Sequence, residues 1–378
     1  MLTFARTDNS IVSRWWWTVD RWTLAAIVML MAAGVLFAMA ASPPKAIGLG
    51  LPPFHFVVRQ LMFIPPSLAL LVGFSLLTPV SARRLSIALF VVFYACTLST
   101  LVLAPEIKGS QRWLFIAGMA VQPSEFLKPM FIVTSAWMFA QNQRREDFPG
   151  TPIAIALCVL VMGTLLLQPD FGQAILMFTV WGAQFFLAGL PLYLIGVLAV
   201  AGAGSVIGAY VLLPHVASRI DRFLDPASGD SFQVNRALEA FTAGGFLGRG
   251  PGEGVVKRIL PDAHTDFIFA VIGEEFGLIA CLILVGVFAF VVIRGFLRVM
   301  REEDPFLFLA SSGLIVLFGM QAIINISVNI QLMPAKGMTL PFVSYGGSSL
   351  LSLSMAMGLL LCFTRRNHNS VASARSLL

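Results

Sequence analysis

Charge is scarce in this chain. Lys, Arg, Asp and Glu together make up 12% of 378 residues, while 58% are hydrophobic, a balance no water-soluble globular domain has. The four cysteines, Cys96, Cys158, Cys281 and Cys362, all fall inside apolar runs and form no CxxC pair, which excludes a disulfide framework or a thiolate metal site. The four histidines (55, 215, 264 and 368) are too scattered for a metal cluster. A GK[ST] phosphate-binding loop is missing too: the glycine-rich GRGPGEG follows no strand, so nucleotide binding is not expected.

What remains is a series of apolar runs, each near the ~20 residues a helix needs to cross a bilayer. They fall near 22–41, 60–79, 85–104, 123–141, 151–168, 171–188, 190–213, 266–293, 306–330 and 341–364. The expected fold is an all-α polytopic membrane protein of about ten transmembrane helices with both termini on one side. FAMAA at 37–41 resembles a signal-peptidase site, but the run from Trp22 is longer than a signal peptide's apolar core, so an uncleaved first span is expected. Four of the seven Trp lie in RWWWTVDRW, 14–22, as an interfacial anchor would.

Arg6, Arg14, Arg21, Arg83, Arg84, Arg144, Arg145, Arg294, Arg298, Arg301, Arg365 and Arg366 share one side, which the positive-inside rule makes cytoplasmic. The net charge of +6 is thereby read as topology and lipid headgroup contact, with no nucleic acid implied. The segments are a cytoplasmic N-terminal segment (1–21), a transmembrane domain (22–366) and a cytoplasmic tail (367–378). One large extracytoplasmic loop (214–265), between spans 7 and 8, carries six basic and six acidic residues. Within it SFQVNRALEAFTAGG places Val234, Leu238 and Phe241 at helical spacing, with Asp230 or Ser231 as cap and Gly244-Gly245 as stop. A short amphipathic helix on the membrane surface is expected there.

Polar groups enter the apolar spans in four places. Arg112 and Trp113 lie in an outer loop before Pro123, and Glu125 with Lys128 at i,i+3 share a helix face; the choice is between a structural ion pair and a functional site. Asp170 in LLLQPDFGQ occupies a short turn, for which a simple polar turn is the plainer reading. Asn325, Asn329, Lys336, Ser344, Tyr345 and Gly346-Gly347 crowd donors around another outer loop, fit either for close helix contact or for a phosphate-bearing substrate. The fourth is PDAHTDFIFAVIGEEFG, 261–277, with four carboxylates in a chain poor in them. Asp266 stands at the outer water boundary, where neighbouring apolar surface should raise its pKa and suit it to general-base work; an N-cap role is the alternative. Glu274 and Glu275 lie roughly 12–13 Å deeper along a helix, about 80° and 180° around it from Asp266. They are expected to bond inside the helix bundle as structural or coupling groups.

These blocks, taken in order, resemble the SEDS family of bacterial membrane glycosyltransferases over residues 20–366. The matching motifs are QRW (111–113), QPSEFLKP (122–129), QPDFG (168–172), Gln233 with GGFLGRG (244–250), HTDFIFAVIGEEFG (264–277) and LPFVSYGGSS (340–349). PAKGMTLP, 334–341, resembles the cell-division branch, with Ser327 and Gln331 standing where Gly is expected and Ala335 where Thr is usual.

The resemblance implies that Asp266 is catalytic and that lipid II is polymerised into a nascent glycan strand during septal wall synthesis in the bacterial inner membrane. Arg112, Trp113, Glu125, Lys128, Arg222, Gln233, Arg249, His264, Lys336 and Ser344 would then contact substrate, Asp170, Glu274 and Glu275 would be structural, and no protein-held metal is implied. No cofactor is evident, although a divalent cation is compatible with the pyrophosphate. The implied partners are a class B penicillin-binding transpeptidase (FtsI) and the division regulators. A lipid II flippase and a non-catalytic scaffold for a transpeptidase are the competing functions; polar groups gathered near the outer surface, not trailed across the membrane, favour the enzyme.

Overall fold

In a computed structural model, residues 10–365 are described apart from 107–109, 117, 146, most of 190–231, and 335–336. Among these residues the chain is helical, with one short hairpin that departs from the all-α expectation: β1 (Leu114–Ile116) pairs antiparallel with β2 (Met119–Val121). It closes the loop between the helices of the third and fourth apolar runs, and its central pairing is Phe115 opposite Ala120.

An eight-residue helix, α1 (Ile11–Thr18), precedes the first span and is pinned by Trp15 Nε1 donating to Ser75 Oγ at 2.9 Å. The long helices follow as α2 (Arg21–Gly48), α3 (His55–Leu76), α4 (Pro79–Leu103), α5 (Pro123–Arg144), α6 (Gly150–Leu167) and α7 (Phe171–Leu187). Within the large loop lies α8 (Phe232–Gly244), and after it come α9 (Ile268–Val299), α10 (Pro305–Asn329) and α11 (Gly347–Phe363). Six of these, α2, α3, α4, α6, α9 and α10, are long and apolar enough to cross a membrane; α7 and α11 are apolar but shorter. Most of the expected seventh span, 190–213, and the caps Asp230 and Ser231 lie outside the described residues.

The least apolar long helix, α5, is largely enclosed. It packs against α4, α6, α10 and α11, and nearly every residue from Pro123 to Ala140 is buried. Its polar side chains are therefore removed from lipid and must find partners within the protein.

Alternation places the starts of α2, α4 and α10 beside the ends of α3, α5, α9 and α11. At this end Asp20 caps α2 and receives Arg294 and Arg298 from α9. Arg144 pairs with Asp304, Arg298 donates to Thr364 O and Arg365 donates to Leu77 O. The arginines that the positive-inside rule assigns to one side thus converge at one end of the bundle.

Prolines inside the helices are put to use. A proline at i cannot donate to the carbonyl at i−4, leaving that oxygen free. Pro129 frees Glu125 O, and Ser352 Oγ of α11 donates to it at 2.6 Å. Pro44 frees Ala40 O, and the buried Lys257 Nζ donates to it at 2.9 Å. Two kinks become two inter-element bonds.

The run 266–293 is not one uninterrupted helix. Gly277 has φ 79° and ψ 179°, breaking α9. Leu278 and Ile279 would ordinarily donate to Glu274 O and Glu275 O. Instead their amides donate to Gly245 O (3.0 Å) and Phe246 O (3.3 Å), while Glu274 O and Glu275 O accept from Arg249 N and Gly250 N, both at 3.0 Å. The GGFLGRG loop is inserted into the break and satisfies all four groups, the condition for irregular backbone at membrane depth. Close approach explains the glycines: a Cβ on Gly277 would lie 2.4 Å from Gly248 N, and one on Gly248 2.2 Å from Glu275 O.

The same loop supplies partners to two carboxylates. Glu274 and Glu275, expected to bond inside the bundle, are buried and bonded to residues of the loop before α9. Glu274 accepts the amides of Val255 (2.6 Å), Val256 (2.7 Å) and Lys257 (2.9 Å). Glu275 accepts Gly252 N at 3.0 Å and pairs with the Lys257 ammonium. The helix expected to rest on the membrane surface, α8, buries Ala237 and Ala240 and packs on α9, with the Phe241 ring 5.7 Å from that of Phe269.

Candidate active site

Asp266 lies half-buried in the turn that leads into α9. The helix cap is Phe267, so the cap position alternative for Asp266 does not hold. The turn is wound on one carbonyl: Thr265, Asp266 and Phe267 amides all point to Asp262 O, at 3.1, 3.1 and 3.3 Å.

Three amide side chains on one face of α10 connect this turn to its surroundings, and two of them hold it directly. Gln321, Asn325 and Asn329 are spaced i, i+4, i+8, which aligns them along the helix. Asn325 Nδ2 and Asn329 Nδ2 each donate to Asp266 O at 2.9 Å. Asn329 Oδ1 accepts Ala270 N at 3.1 Å, so a residue of α10 supplies a capping acceptor to the first turn of α9. Asn325 Nδ2 also reaches Met338 O at 2.6 Å, and Gln321 Nε2 reaches Thr339 O at 3.2 Å. The face therefore joins the Asp266 turn to the segment before α11.

That segment closes over the carboxylate. Gly337 has φ 64°, and a Cβ there would stand 3.6 Å from Asp266 Oδ2. Its neighbour Lys336 lies outside the described residues, as does Arg222. Ser344 Oγ donates to Thr265 O at 2.5 Å and accepts Leu340 N at 2.8 Å, while Tyr345 N donates to His264 O at 3.0 Å. Ser344 and Tyr345 thus hold the backbone of Thr265 and His264, immediately before Asp266. The His264 ring lies 4.3 Å from Phe56 and 5.6 Å from Tyr345. Burial there pushes its pKa down to about 4; Asp262 opposes the shift and Lys45 adds to it.

A second group of polar side chains lies beside the starts of α5 and α7 and against α10, toward the end of the bundle opposite the arginines. Lys128 Nζ is 2.8 Å from Glu125 Oε2 and donates to Gln321 Oε1 at 3.3 Å. Glu125 Oε1 accepts Gln173 Nε2 at 2.9 Å. Asp170 caps α7 through Gln173 N, receives Arg112 at 3.4 Å and accepts Gln122 Nε2 at 3.5 Å. Arg112 also donates to Gln168 O (3.1 Å) and Pro169 O, and Trp113 is half-buried beside it. Through Gln321 this network is continuous with the Asp266 turn.

Arg249 stands apart. Its Nε donates to Ala243 O at 3.1 Å, closing the end of α8, and it belongs with Glu274, Glu275 and Lys257 at the helix break. Gln233 is half-buried on α8. Sequence reasoning missed Gln321, Gln173, Gln122 and Lys257; the signal for Gln321 was its four-residue step to Asn325 and Asn329. Among the described residues no group of three or more His, Cys, Asp or Glu is arranged to hold a metal.

The profile of the cell cycle protein family of FtsW, RodA and SpoVE matches residues 21–369. A protein from Caulobacter vibrioides named probable peptidoglycan glycosyltransferase FtsW is 46% identical over 96% of this chain and 93% of its own. One of the same name from Coxiella burnetii is 36% identical over 93% and 98%. Among solved structures, a chain of a peptidoglycan synthase complex described as coordinating polymerization and crosslinking superposes with a TM-score of 0.74 at 25% identity, covering 92% of this chain and 97% of the other. The rod shape determining protein RodA of Thermus thermophilus shares the fold, with a TM-score of 0.66 over 92% and 97% at 24% identity. With the ordered motifs and this superposition, the chain is a multi-pass membrane protein and a member of the FtsW, RodA and SpoVE family, the SEDS proteins.

Proposed function

We propose that this protein is a peptidoglycan glycosyltransferase that polymerises lipid II outside the cytoplasmic membrane during septal wall synthesis. The observation that carries the reading is the match across nearly the whole chain to relatives named peptidoglycan glycosyltransferase FtsW. The half-buried Asp266, held by two asparagines on its own carbonyl, supports the assignment of the base.

In this mechanism the Asp266 carboxylate takes the proton from the 4-hydroxyl of the acceptor sugar. That oxygen attacks C1 of the donor sugar from the face opposite its phosphate. The C1–O bond to the pyrophosphate breaks, undecaprenyl pyrophosphate leaves, and the configuration at C1 inverts. Holding the carboxylate by its backbone fixes the distance over which the proton moves. Arg112, Lys128 and Lys336 are the proposed cationic contacts for the diphosphate, with Trp113, Glu125, Gln233, His264 and Ser344 shaping the site; a divalent cation would assist as a charge on that diphosphate. Arg222 and Arg249 remain substrate contacts in the proposal only if the loop carries them to the site.

The ten-span topology with both termini cytoplasmic, the septal location and the partner belong to the same proposal. Likeness to a synthase complex that couples polymerization to crosslinking supports a class B transpeptidase as the partner. The test is incubation of the purified protein with lipid II and that transpeptidase. Glycan polymer is expected. Transbilayer movement of labelled lipid II without polymer would replace the enzyme by a flippase.

A further inference from the structure

Gln321 of α10 is 2% exposed and stands where four parts of the chain meet. Its Oε1 accepts Lys128 Nζ of α5 at 3.3 Å. Its Nε2 donates to Thr339 O at 3.2 Å and lies 3.4 and 3.5 Å from the hydroxyls of Thr339 and of Ser349 in the first turn of α11. These neighbours settle which way the amide points, since an ammonium only donates and a carbonyl only accepts. Thr339 belongs to the segment that closes over the carboxylate. Asn325, four residues on from Gln321, holds Met338 O at 2.6 Å, and a Cβ on Gly337 would stand 3.6 Å from Asp266 Oδ2. Gln321 therefore joins Lys128 to the backbone beside Asp266.

The ammonium has a donor to spare. It carries three N–H groups. Glu125 Oε2, 2.8 Å away, and Gln321 Oε1 take two directions, and among the described residues the third has no partner, although Lys128 is only 3% exposed. Around a tetrahedral nitrogen two held directions fix the third, whereas with Glu125 alone the ammonium is free to turn about its last bond. The helix that carries Lys128 is secured separately: Ser352 Oγ donates to Glu125 O at 2.6 Å, and Ser348 Oγ accepts Gln122 N at 3.1 Å. Removing the Gln321 amide thus frees the ammonium without releasing α5 from α11.

We propose that Gln321 is a positioning residue for glycosyl transfer, aiming the remaining N–H of Lys128 at the diphosphate of the donor. This role rests on the reading of Lys128 as a contact for that group. When the C1–O bond breaks, its electron pair stays with the diphosphate oxygen, which gains a negative charge, while the proton of the acceptor hydroxyl passes to Asp266. The contact from Lys128 therefore strengthens along the reaction. Fixing its direction in advance favours the transition state over the bound donor.

The test compares wild type, Gln321→Met and Gln321→His in polymerisation of purified lipid II with the transpeptidase present. Methionine fills the space with no strong donor or acceptor, whereas a neutral imidazole offers one of each. In Gln321→Met kcat should fall about tenfold, the value of a hydrogen bond to a charged group, with KM within about twofold of wild type. Inhibition by added undecaprenyl pyrophosphate, which carries the extra charge, should weaken by about the same factor. Gln321→His should recover most of both losses. An unchanged kcat in Gln321→Met, a rise in KM alone, equal losses in the two variants, or unaltered inhibition by undecaprenyl pyrophosphate would each overturn the proposal. Absence of polymer from wild type would instead remove the glycosyltransferase reading, and this role with it.

Discussion

The ammonium of Lys257 donates to the carbonyl oxygen of Ala40, the oxygen that Pro44 leaves without its helical donor. One side chain of the outer loop thereby repairs a kink in α2 and neutralises Glu275 in α9. Lys257 is 4% exposed, so both interactions are shielded from water. Lys257→Met should cost about 3 kcal/mol, because it leaves a buried carboxylate and a buried carbonyl unpaired. Thermal unfolding of the purified protein measures this. Adding Glu275→Gln should recover part of the loss, while an unaltered melting point in the single variant would contradict the arrangement.

The inserted loop makes a separate prediction. Gly277→Ala places a methyl group against Gly248 N at a backbone conformation that L-residues rarely adopt. The expected consequence is expulsion of residues 245–250 from the break in α9. Amide exchange of Arg249 and Gly250, which donate to Glu274 O and Glu275 O, should rise by about tenfold or more, the equivalent of one lost buried hydrogen bond. Unchanged protection of those two amides would show that the insertion does not depend on this glycine.

Asn325 and Asn329 position Asp266 without offering it a proton. Asn329→Ala should reduce kcat for polymerisation about tenfold or more, since small displacements of a reacting group are costly. KM should change little, because the lost bond lies on the backbone of the base. Comparison of kcat and KM in the variant checks the split. A rise in KM at constant kcat would make Asn329 a binding residue instead.

His264 supplies a pH dependence. Its pKa falls from the usual 6.5 to about 4, chiefly through burial, so the fold favours the neutral ring. The stabilisation is complete above pH 6.5 and is lost as pH falls toward 4, on the order of 3 kcal/mol in all. Melting curves between pH 7 and 4 should show this loss in wild type and a smaller one in His264→Gln. Parallel curves for both would remove His264 as the cause.

Much of this arrangement is legible in the sequence, and the remainder fails for identifiable reasons. The apolar runs locate the helices because lipid demands continuous hydrophobic length, and nine of the ten expected spans correspond to described helices, α2 to α7 and α9 to α11. Glu125 and Lys128 are paired as their i,i+3 spacing requires. The break at Gly277 is not legible because a lone glycine is tolerated inside an apolar span, and the partners that make a break tolerable come from a loop some thirty residues earlier. That Glu274 and Glu275 bond internally is legible from their depth in the span, whereas their loop partners are not, because an isolated helix shows no sign of inserted backbone. Lys257 carries no motif, and Pro43-Pro44 fall just beyond the first apolar run, so only the continuation of α2 to Gly48 makes Ala40 O a helical carbonyl in need of a donor.

The central claim is that the Asp266 carboxylate is the base. The direct measurement is polymer yield from purified lipid II by Asp266→Asn, alongside wild type, with the transpeptidase present and with matched melting points. The account predicts glycan strands from wild type and none from Asp266→Asn, which keeps the shape of the side chain and loses its basicity. Polymer formed by Asp266→Asn at the wild-type rate would contradict it.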